Sequence, residues 1–274
     1  MSSDSMSLHE AAERLGVHYM TVYRYVRLGL LPATKVGGSW SVLEVDLAAF
    51  TAPAQQPSSR GQAPWSERLE SRMLAGDLAG SWSVVEAAMA SGCTPPRVYT
   101  DLVVPALVSI GQKWADAEIG IDEEHQASAI ATRIVGRMGS LFARRGRTKG
   151  SVVLAMPSGD RHGLALAMLA DVLRGEGYAV VDLGADIPAR SIVDAAHKVP
   201  DLHAVCISVV YREALESAAE TIGLLKSEIG SDLFVVIGGG AVASDEHARE
   251  LGADKRAASL TDVPELVQEW AASA

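Results

Sequence analysis

The segment SGDRHG at residues 158–163 holds the strongest candidate for chemistry, a carboxylate two positions before an imidazole. Asp160 can accept a hydrogen bond from one ring nitrogen of His162 and direct the other nitrogen towards a metal. One histidine is too few for a zinc site made by protein alone, which needs three or four ligands. The pattern therefore favours a metal that arrives with its own equatorial ligands, as in a macrocycle.

A second candidate lies earlier in the chain, where WADAEIGIDEEH places Trp114 nine residues before the pair Glu124 and His125. A lone Trp on a helix is usually part of a core, and a Glu at a helix start is usually a surface residue that the helix dipole favours. We nevertheless expect the nine-residue spacer to let both ends converge on one pocket.

Short apolar runs predict an α/β domain, residues 149–274, that positions the first pair. SVVLAMP, YAVVDLG, HAVCISVV, LFVVIGGG and a brief strand near Arg256–Leu260 alternate with helical stretches. This alternation indicates a flavodoxin-like, doubly wound parallel sheet covered on both faces. His162 follows the first strand and so lies at the carboxyl ends of the strands, where ligands bind. Without a GxGxxG after that strand or a GxxxxGK[ST], dinucleotide and P-loop sites have little support.

Two further segments precede this domain. Residues 65–148 carry apolar side chains at intervals of three and four and predict a four-helix bundle with short Gly-containing joints. Trp114 would lie near the end of the third helix, and Glu124 in the first turn of the fourth. Residues 52–64, APAQQPSSRGQAP, predict a flexible linker.

Residues 1–51 predict a winged helix-turn-helix, all-α in class apart from a two-stranded wing that turns on Gly37-Gly38. Ser7 and Glu10 form a capping box at the first helix. Candidate DNA contacts lie on the second helix and the wing: Thr21, Tyr23, Arg24, Arg27 and Lys35. The segment has a net charge of −1, so DNA binding would need several copies on one site. A helical protein-interaction module is the alternative.

Composition limits the other function classes. The 274 residues have a formal net charge of −10, which argues against nucleic acid contacts over the whole surface. The absence of a long apolar run or a signal-peptide pattern predicts a cytoplasmic protein without membrane contact. Cys93 and Cys206 have no CxxC partner and predict buried, reduced thiols.

Three pieces of the sheet domain resemble the cobalamin-binding signature DxHxxG…SxL…GG: Asp160 with His162, Ser208, and Gly238-Gly239-Gly240. The resemblance implies that His162 ligates cobalt from below. It also implies that the serine and the glycines accommodate the displaced nucleotide tail, for which glycines leave a channel without side chains. Ala165 stands where the signature has its last glycine, and Val210 stands where it has leucine.

The whole chain resembles the CarH/LitR-type photoreceptor regulators, which join a MerR- or excisionase-like domain, a helical bundle and a cobalamin domain. The resemblance implies a light-responsive, adenosylcobalamin-dependent transcriptional regulator, not an enzyme. Trp114 would pack on the adenosyl group, with Glu124 and His125 in the same cavity. Light would break the cobalt–carbon bond, shift the bundle and separate a dark homo-oligomer, dimer or tetramer, from its DNA operator. Arg161, Gly177 and Asp186 match interface positions.

Three alternatives stay open, and in the simplest of them cobalamin is an effector without photochemistry. Ala115 follows Trp114 where the best-known relatives have a histidine that ligates cobalt after photolysis. A subgroup, the photocobilins, pairs cobalamin with a bilin such as biliverdin. A corrinoid methyl carrier also places a helical bundle over a DxHxxG domain, but such a carrier has no use for a helix-turn-helix.

Overall fold

A computed structural model describes residues 5–15, 22–23, 25–26, 31–36, 39–50 and 64–273. The chain divides into two compact units, Met1–Gln62 and Ala63–Ala274. The predicted linker at 52–64 lies outside the described residues except for Pro64. None of the described helices is long and apolar enough to cross a membrane.

The described part of the small unit contains a three-stranded antiparallel sheet, two helices with described bounds, and helical residues at 22–23 and 25–26, where the second helix is predicted. Its elements are β1 (Ser5–Ser7), α1 (Leu8–Leu15), β2 (Thr34–Val36), β3 (Ser39–Leu43) and α2 (Glu44–Ala49), with β3 between β1 and β2. The Ser7 hydroxyl accepts from the Glu10 N–H at 3.3 Å, and a Glu10 carboxylate oxygen accepts from the Ser7 N–H at 2.8 Å, which confirms the capping box. The wing is confirmed. The all-α class is wrong, because β1 extends the wing into a sheet.

The next segment, which we call the helical domain (Trp65–Phe142), is helical as predicted. It comprises α3 (Trp65–Leu74), α4 (Leu78–Ala90), α5 (Pro95–Arg97), a π-helical turn (Val98–Val103), α6 (Val104–Ala115), α7 (Ile121–Met138) and a 3₁₀ turn (Gly139–Phe142). The third predicted helix is thus divided by the π-helical turn. Pro105 follows that turn and has no N–H to donate to the carbonyl of Asp101, which accounts for the irregular backbone.

The remaining residues form the sheet domain (Ser151–Ser273). It comprises β4 (Ser151–Ala155), α8 (Leu164–Glu176), β5 (Ala179–Asp182), α9 (Ala189–Lys198), β6 (Leu202–Ser208), a 3₁₀ turn (Arg212–Ala214), α10 (Leu215–Glu228), β7 (Phe234–Gly238), α11 (Asp245–Glu250), β8 (Lys255–Ala257) and α12 (Val263–Ser273). All strand pairs are parallel in the order β5-β4-β6-β7-β8, which is the flavodoxin-like order.

Apolar cores cover both faces of this sheet. Ile192 of α9 and Ile222 of α10 pack on one face, while Leu173 of α8 and Val267 of α12 pack on the other. A third core joins the helical domain to α8 through Met168 and neighbouring residues. The helical domain is therefore seated on the sheet domain beside α8.

Candidate cofactor site

Asp160 and His162 lie in the loop that follows β4, at the carboxyl ends of the parallel strands. The imidazole Nδ1 is 2.8 Å from Oδ1 of Asp160, and the His162 N–H donates to the same oxygen at 3.2 Å. An ionised carboxylate can only accept, so Nδ1 donates to Asp160, and in the neutral imidazole this tautomer leaves the lone pair on Nε2. The His162 side chain is 43% exposed, whereas Asp160 is fully buried. This geometry leaves Nε2 available to a metal.

The buried carboxylate of Asp160 is held by the backbone of the loop after β6. Its Oδ2 accepts from the N–H of Val210 at 2.6 Å and from the N–H of Tyr211 at 3.0 Å. Burial raises the pKa of Asp160, but the hydrogen bonds from Tyr211, His162 and Val210 outweigh it, and the net pKa lies below its ordinary value. Asp160 therefore stays ionised beside the imidazole.

Tyr211 contributes a contact that the sequence did not predict. Its ring lies 4.6 Å from the His162 ring, centroid to centroid, with an interplanar angle of 54°. The SxL piece of the signature ends one residue earlier, at Val210, so no motif marks this position. The one sequence signal for this contact is that an aromatic residue directly follows the SxL piece.

A cavity of about 310 Å³ opens at the carboxyl ends of β6 and β7. Ser208 and Gly238, which are register partners in adjacent strands, line it together with Gly239, Thr100 and Val104. A further lining residue is Ala165, where the signature has glycine. The cavity therefore unites the predicted serine and two of the glycines, and residues of the helical domain close one side.

Gly239 is the glycine whose lack of a side chain matters most. Its φ is +99°, and a Cβ there would lie 2.2 Å from the carbonyl oxygen of Val209. A Cβ on Gly238 would lie 3.1 Å from the carbonyl oxygen of Ala257. Gly240 does not line the cavity, and a Cβ there would meet nothing within 4 Å. The backbone around the cavity thus requires glycine at position 239, leaves little room for a Cβ at 238 and sets no such demand at 240.

The candidates of the helical domain lie at the predicted helix ends. Trp114 is in the last turn of α6 and is 44% exposed, an unusual fraction for so large an apolar ring. Glu124, in the first turn of α7, accepts from the Ser128 hydroxyl at 2.6 Å and is 2.6 Å from Nδ1 of His125. None of these three residues lines the cavity, and their convergence on one pocket stays a prediction.

Comparison with known proteins agrees with this geometry. Two models described as "B12 binding domain" match residues 150–261 and 65–138, and a "helix-turn-helix domain" model matches residues 5–53. A dimethylamine corrinoid protein of Methanosarcina barkeri is 31% identical over 177 residues, which cover 64% of this chain and 83% of that protein. The chain belongs to the B12-binding corrinoid protein family.

The matches to two further relatives cover most of the length of those proteins. Monomethylamine corrinoid protein 2 of Methanosarcina acetivorans is 22% identical over 204 residues, 73% of this chain and 94% of that protein. The solved monomethylamine corrinoid protein of Methanosarcina barkeri has a TM-score of 0.67 at 19% identity and covers 75% of this chain and 97% of its own. The likeness to the solved structure shows a shared fold.

The residues fit a corrinoid cofactor. Within the part of the chain that the structure describes, no three side chains of His, Cys, Asp and Glu are grouped so that they could hold a metal ion. His162 can supply one ligand, so the metal must bring others, as cobalt does in a corrin. Gly238 and Gly239 line the cavity, and backbone carbonyl oxygens approach both so closely that a side chain would crowd its wall. Both features agree with the B12-binding family.

Two of the three predicted interface residues of this corrinoid protein, Arg161 and Asp186, pair within one chain. Nε of Arg161 lies 3.3 Å from Oδ2 of Asp186, and Oδ1 of Asp186 accepts from the Gly159 N–H at 2.8 Å. That N–H, more than Arg161, lowers the pKa of Asp186. Gly177 ends α8 with a left-handed φ of 96°. The Arg161 side chain is 82% exposed, and a contact between chains stays a prediction.

Most of the predicted DNA contacts, Thr21, Arg24 and Arg27, lie outside the described residues. Tyr23 lies on a helical stretch and packs against the core of the small unit. Lys35 is exposed on β2, with Nζ 5.9 Å from the centre of the Trp40 ring. The matched helix-turn-helix model supports DNA binding by this unit.

Proposed function

We propose that the chain is a light-responsive, adenosylcobalamin-dependent transcriptional regulator. The observation that carries the proposal is the presence, in one chain, of a helix-turn-helix match at residues 5–53 and a corrinoid site built around Asp160 and His162. A protein that only carries a corrinoid between enzymes has no need of a DNA-binding unit. In this proposal the chain catalyses no reaction of its own.

The lower side of the site depends on Asp160. Its four accepted hydrogen bonds satisfy both carboxylate oxygens and fix the imidazole of His162 through Nδ1. A histidine that donates to a carboxylate is a more basic ligand at its other nitrogen. His162 would therefore hold cobalt from below, with the nucleotide tail beside Ser208 and Gly239.

The upper side depends on the helical domain, which we propose to be a four-helix bundle that covers the corrin. Adenosylcobalamin supplies a cobalt–carbon bond that light breaks in the receptors that the chain resembles. The half-exposed ring of Trp114 would cover the adenosyl group, with Glu124 and His125 nearby. Loss of this contact would move the bundle and separate the subunits of a dark dimer or tetramer joined through Arg161, Gly177 and Asp186.

Oligomerisation gives the DNA-binding unit the affinity that one copy lacks. Residues 1–51 have a net charge of −1, so a single unit gains little from phosphate contacts. Several copies joined in one assembly bind adjacent sites at high effective concentration. Separation of the subunits would therefore release DNA without any change in the helix-turn-helix itself.

Reconstitution in the dark tests this proposal. We expect apoprotein mixed with adenosylcobalamin to show the spectrum of a cobalamin with a histidine below cobalt, and green light to change it. His162→Ala should lose that spectrum, whereas His197→Ala, a change at an exposed histidine in the last turn of α9, should keep it. A wild-type protein that stays colourless, or whose spectrum light does not alter, would refute the proposal.

DNA binding separates the regulator from its main rival. The relatives named above are corrinoid proteins for methylamines, which favours a corrinoid methyl carrier as the alternative function. We expect selection from a random-sequence duplex pool to enrich one motif in the dark with adenosylcobalamin, and illumination to release it. Failure to enrich any motif, combined with cobalt methylation by a methyl donor, would favour the carrier. A parallel reconstitution with biliverdin tests the photocobilin alternative through a visible bilin band.

A further inference from the structure

The loop Val209–Tyr211 holds the Asp160–His162 pair from two directions. The N–H groups of Val210 and Tyr211 donate to Asp160, and the Tyr211 ring packs against the His162 ring. The cobalamin signature includes Ser208 and Val210 of this segment but not Tyr211. The aromatic side chain is therefore a feature of this chain that its motif does not explain.

The imidazole of His162 needs a second restraint. Its ring is fixed by one hydrogen bond at Nδ1, and 43% of the side chain is exposed. A single hydrogen bond lets the ring swing about the Nδ1–carboxylate axis, and this freedom must be lost when Nε2 binds a metal. An aromatic ring 4.6 Å away, tilted by 54°, limits the swing on one face.

The backbone of Tyr211 is itself fixed, which limits the positions that its ring can take. Its N–H donates to the buried carboxylate of Asp160, the same group that orients His162. Aromatic rings have only two rotatable side-chain bonds, so such a contact is ordered at a low entropic cost. The Tyr211 side chain remains 45% exposed, so its removal leaves no cavity in the core.

We propose that Tyr211 is a positioning residue for the lower ligand: its ring holds the imidazole of His162 in the orientation that presents Nε2 to cobalt. The proposal rests on the ligation by His162 given under Proposed function. It assigns the effect to the aromatic ring and none to the phenolic hydroxyl, so phenylalanine should replace tyrosine without loss.

A double-mutant cycle tests the assignment. Dissociation constants for adenosylcobalamin are measured in the dark for the full chain, for Tyr211→Ala, for Tyr211→Phe, for His162→Ala and for the His162→Ala, Tyr211→Ala double variant. We expect Tyr211→Ala to weaken binding by about 2- to 12-fold, the range that one aromatic pair provides. Tyr211→Phe should match wild type. In the His162→Ala background, Tyr211→Ala should have no further effect.

Two further measurements separate an effect on ligation from an effect on folding. Thermal unfolding of the apoproteins should give the same midpoint for wild type and Tyr211→Ala, because the residue is half exposed. If His162→Ala binds too weakly for titration, the fraction of protein with the histidine-ligated spectrum is compared at saturating cobalamin. This fraction should fall in Tyr211→Ala and stay at the wild-type level in Tyr211→Phe.

The results separate failure of this inference from failure of the proposed ligation. Equal weakening by Tyr211→Ala in both backgrounds would mean that the ring contacts the corrinoid directly, and an unchanged affinity with an unchanged spectrum would mean that it has no role. Either result overturns the inference while His162 remains the ligand. If wild type and His162→Ala give the same spectrum, the ligation itself is wrong.

Discussion

The substitution Tyr99→Phe tests how the helical domain is attached to the sheet domain. Tyr99, in the π-helical turn, is fully buried, and its hydroxyl donates to Oδ2 of Asp171 of α8 at 2.7 Å. Burial, the hydrogen bond and the negative charge of Asp171 all raise the pKa of Tyr99, so the phenol stays protonated and remains a donor. Asp171 would keep one partner, Arg174, at 3.4 Å.

The expected loss is about 2 kcal/mol in the free energy of unfolding. A hydrogen bond to a charged group contributes roughly 1.5–3 kcal/mol, and its removal here leaves a largely buried carboxylate short of one donor. The ring contact with Phe142, 5.2 Å between centroids, survives the change and adds no further loss. Urea unfolding followed by tryptophan fluorescence measures the difference, because four of the five tryptophans lie between residues 65 and 270.

Tyr178→Phe is the matched control. Tyr178 is 4% exposed, and its hydroxyl has no hydrogen-bond partner among the residues that the structure describes, so its loss should change stability by less than about 0.5 kcal/mol. Asp171→Asn, measured alone and together with Tyr99→Phe, completes a double-mutant cycle for the Tyr99–Asp171 pair. If Tyr99→Phe is no more harmful than Tyr178→Phe, the buried pair does not join the two domains and the reasoning fails.

Further predictions concern the channel and the two thiols. Gly239→Ala should destabilise the protein by about 1–3 kcal/mol and weaken cobalamin binding, because its φ is +99° and its Cβ would meet a carbonyl; urea unfolding and titration measure both effects. Gly240→Ala is the control, and equal effects would contradict the channel. Burial raises the pKa of both thiols, that of Cys206 to about 12. Because Cys206 is buried and Cys93 is only half-buried, iodoacetamide at pH 8 should label Cys93 first. Mass spectrometry that finds Cys206 labelled as quickly would contradict the packing around β6.

Four of the five strands of the sheet domain could be predicted because each lies in a short, continuous apolar run, as buried parallel strands do. The fifth, β8, is a polar edge strand at Lys255–Ala257, and the strand predicted near Arg256–Leu260 overlaps it at only two residues. The alternation with helices was enough to predict the flavodoxin-like order. The strand Ser5–Ser7 could not be predicted, since three residues with one apolar position carry no period. The π-helical turn also gave no signal beyond Pro105, because apolar spacing alone does not separate α from π geometry.

The contact between Asp160 and His162 could be predicted because two residues of separation suffice for it. The anchoring of Asp160 could not, since its donors, Val210 and Tyr211, lie 50 and 51 positions further along the chain and act through the backbone. Backbone donors leave no trace in residue type. Gly240 illustrates the opposite error: its position next to Gly239 predicts that it lines the channel, whereas the structure shows that only Gly238 and Gly239 do so.

The segment Ser208–Tyr211 connects the nucleotide channel to the lower ligand. The Val209 N–H donates to the carbonyl of Gly238 at 2.9 Å, and the Val209 carbonyl accepts from Ala241 at 3.1 Å, so the channel glycines and this segment hold each other. The next two N–H groups of the same segment hold Asp160, which holds His162. A shift of the segment by a fraction of an ångström would lengthen hydrogen bonds at both places. Occupation of the channel and ligation by His162 should therefore be cooperative, which favours a corrinoid whose tail fills the channel over one without a tail.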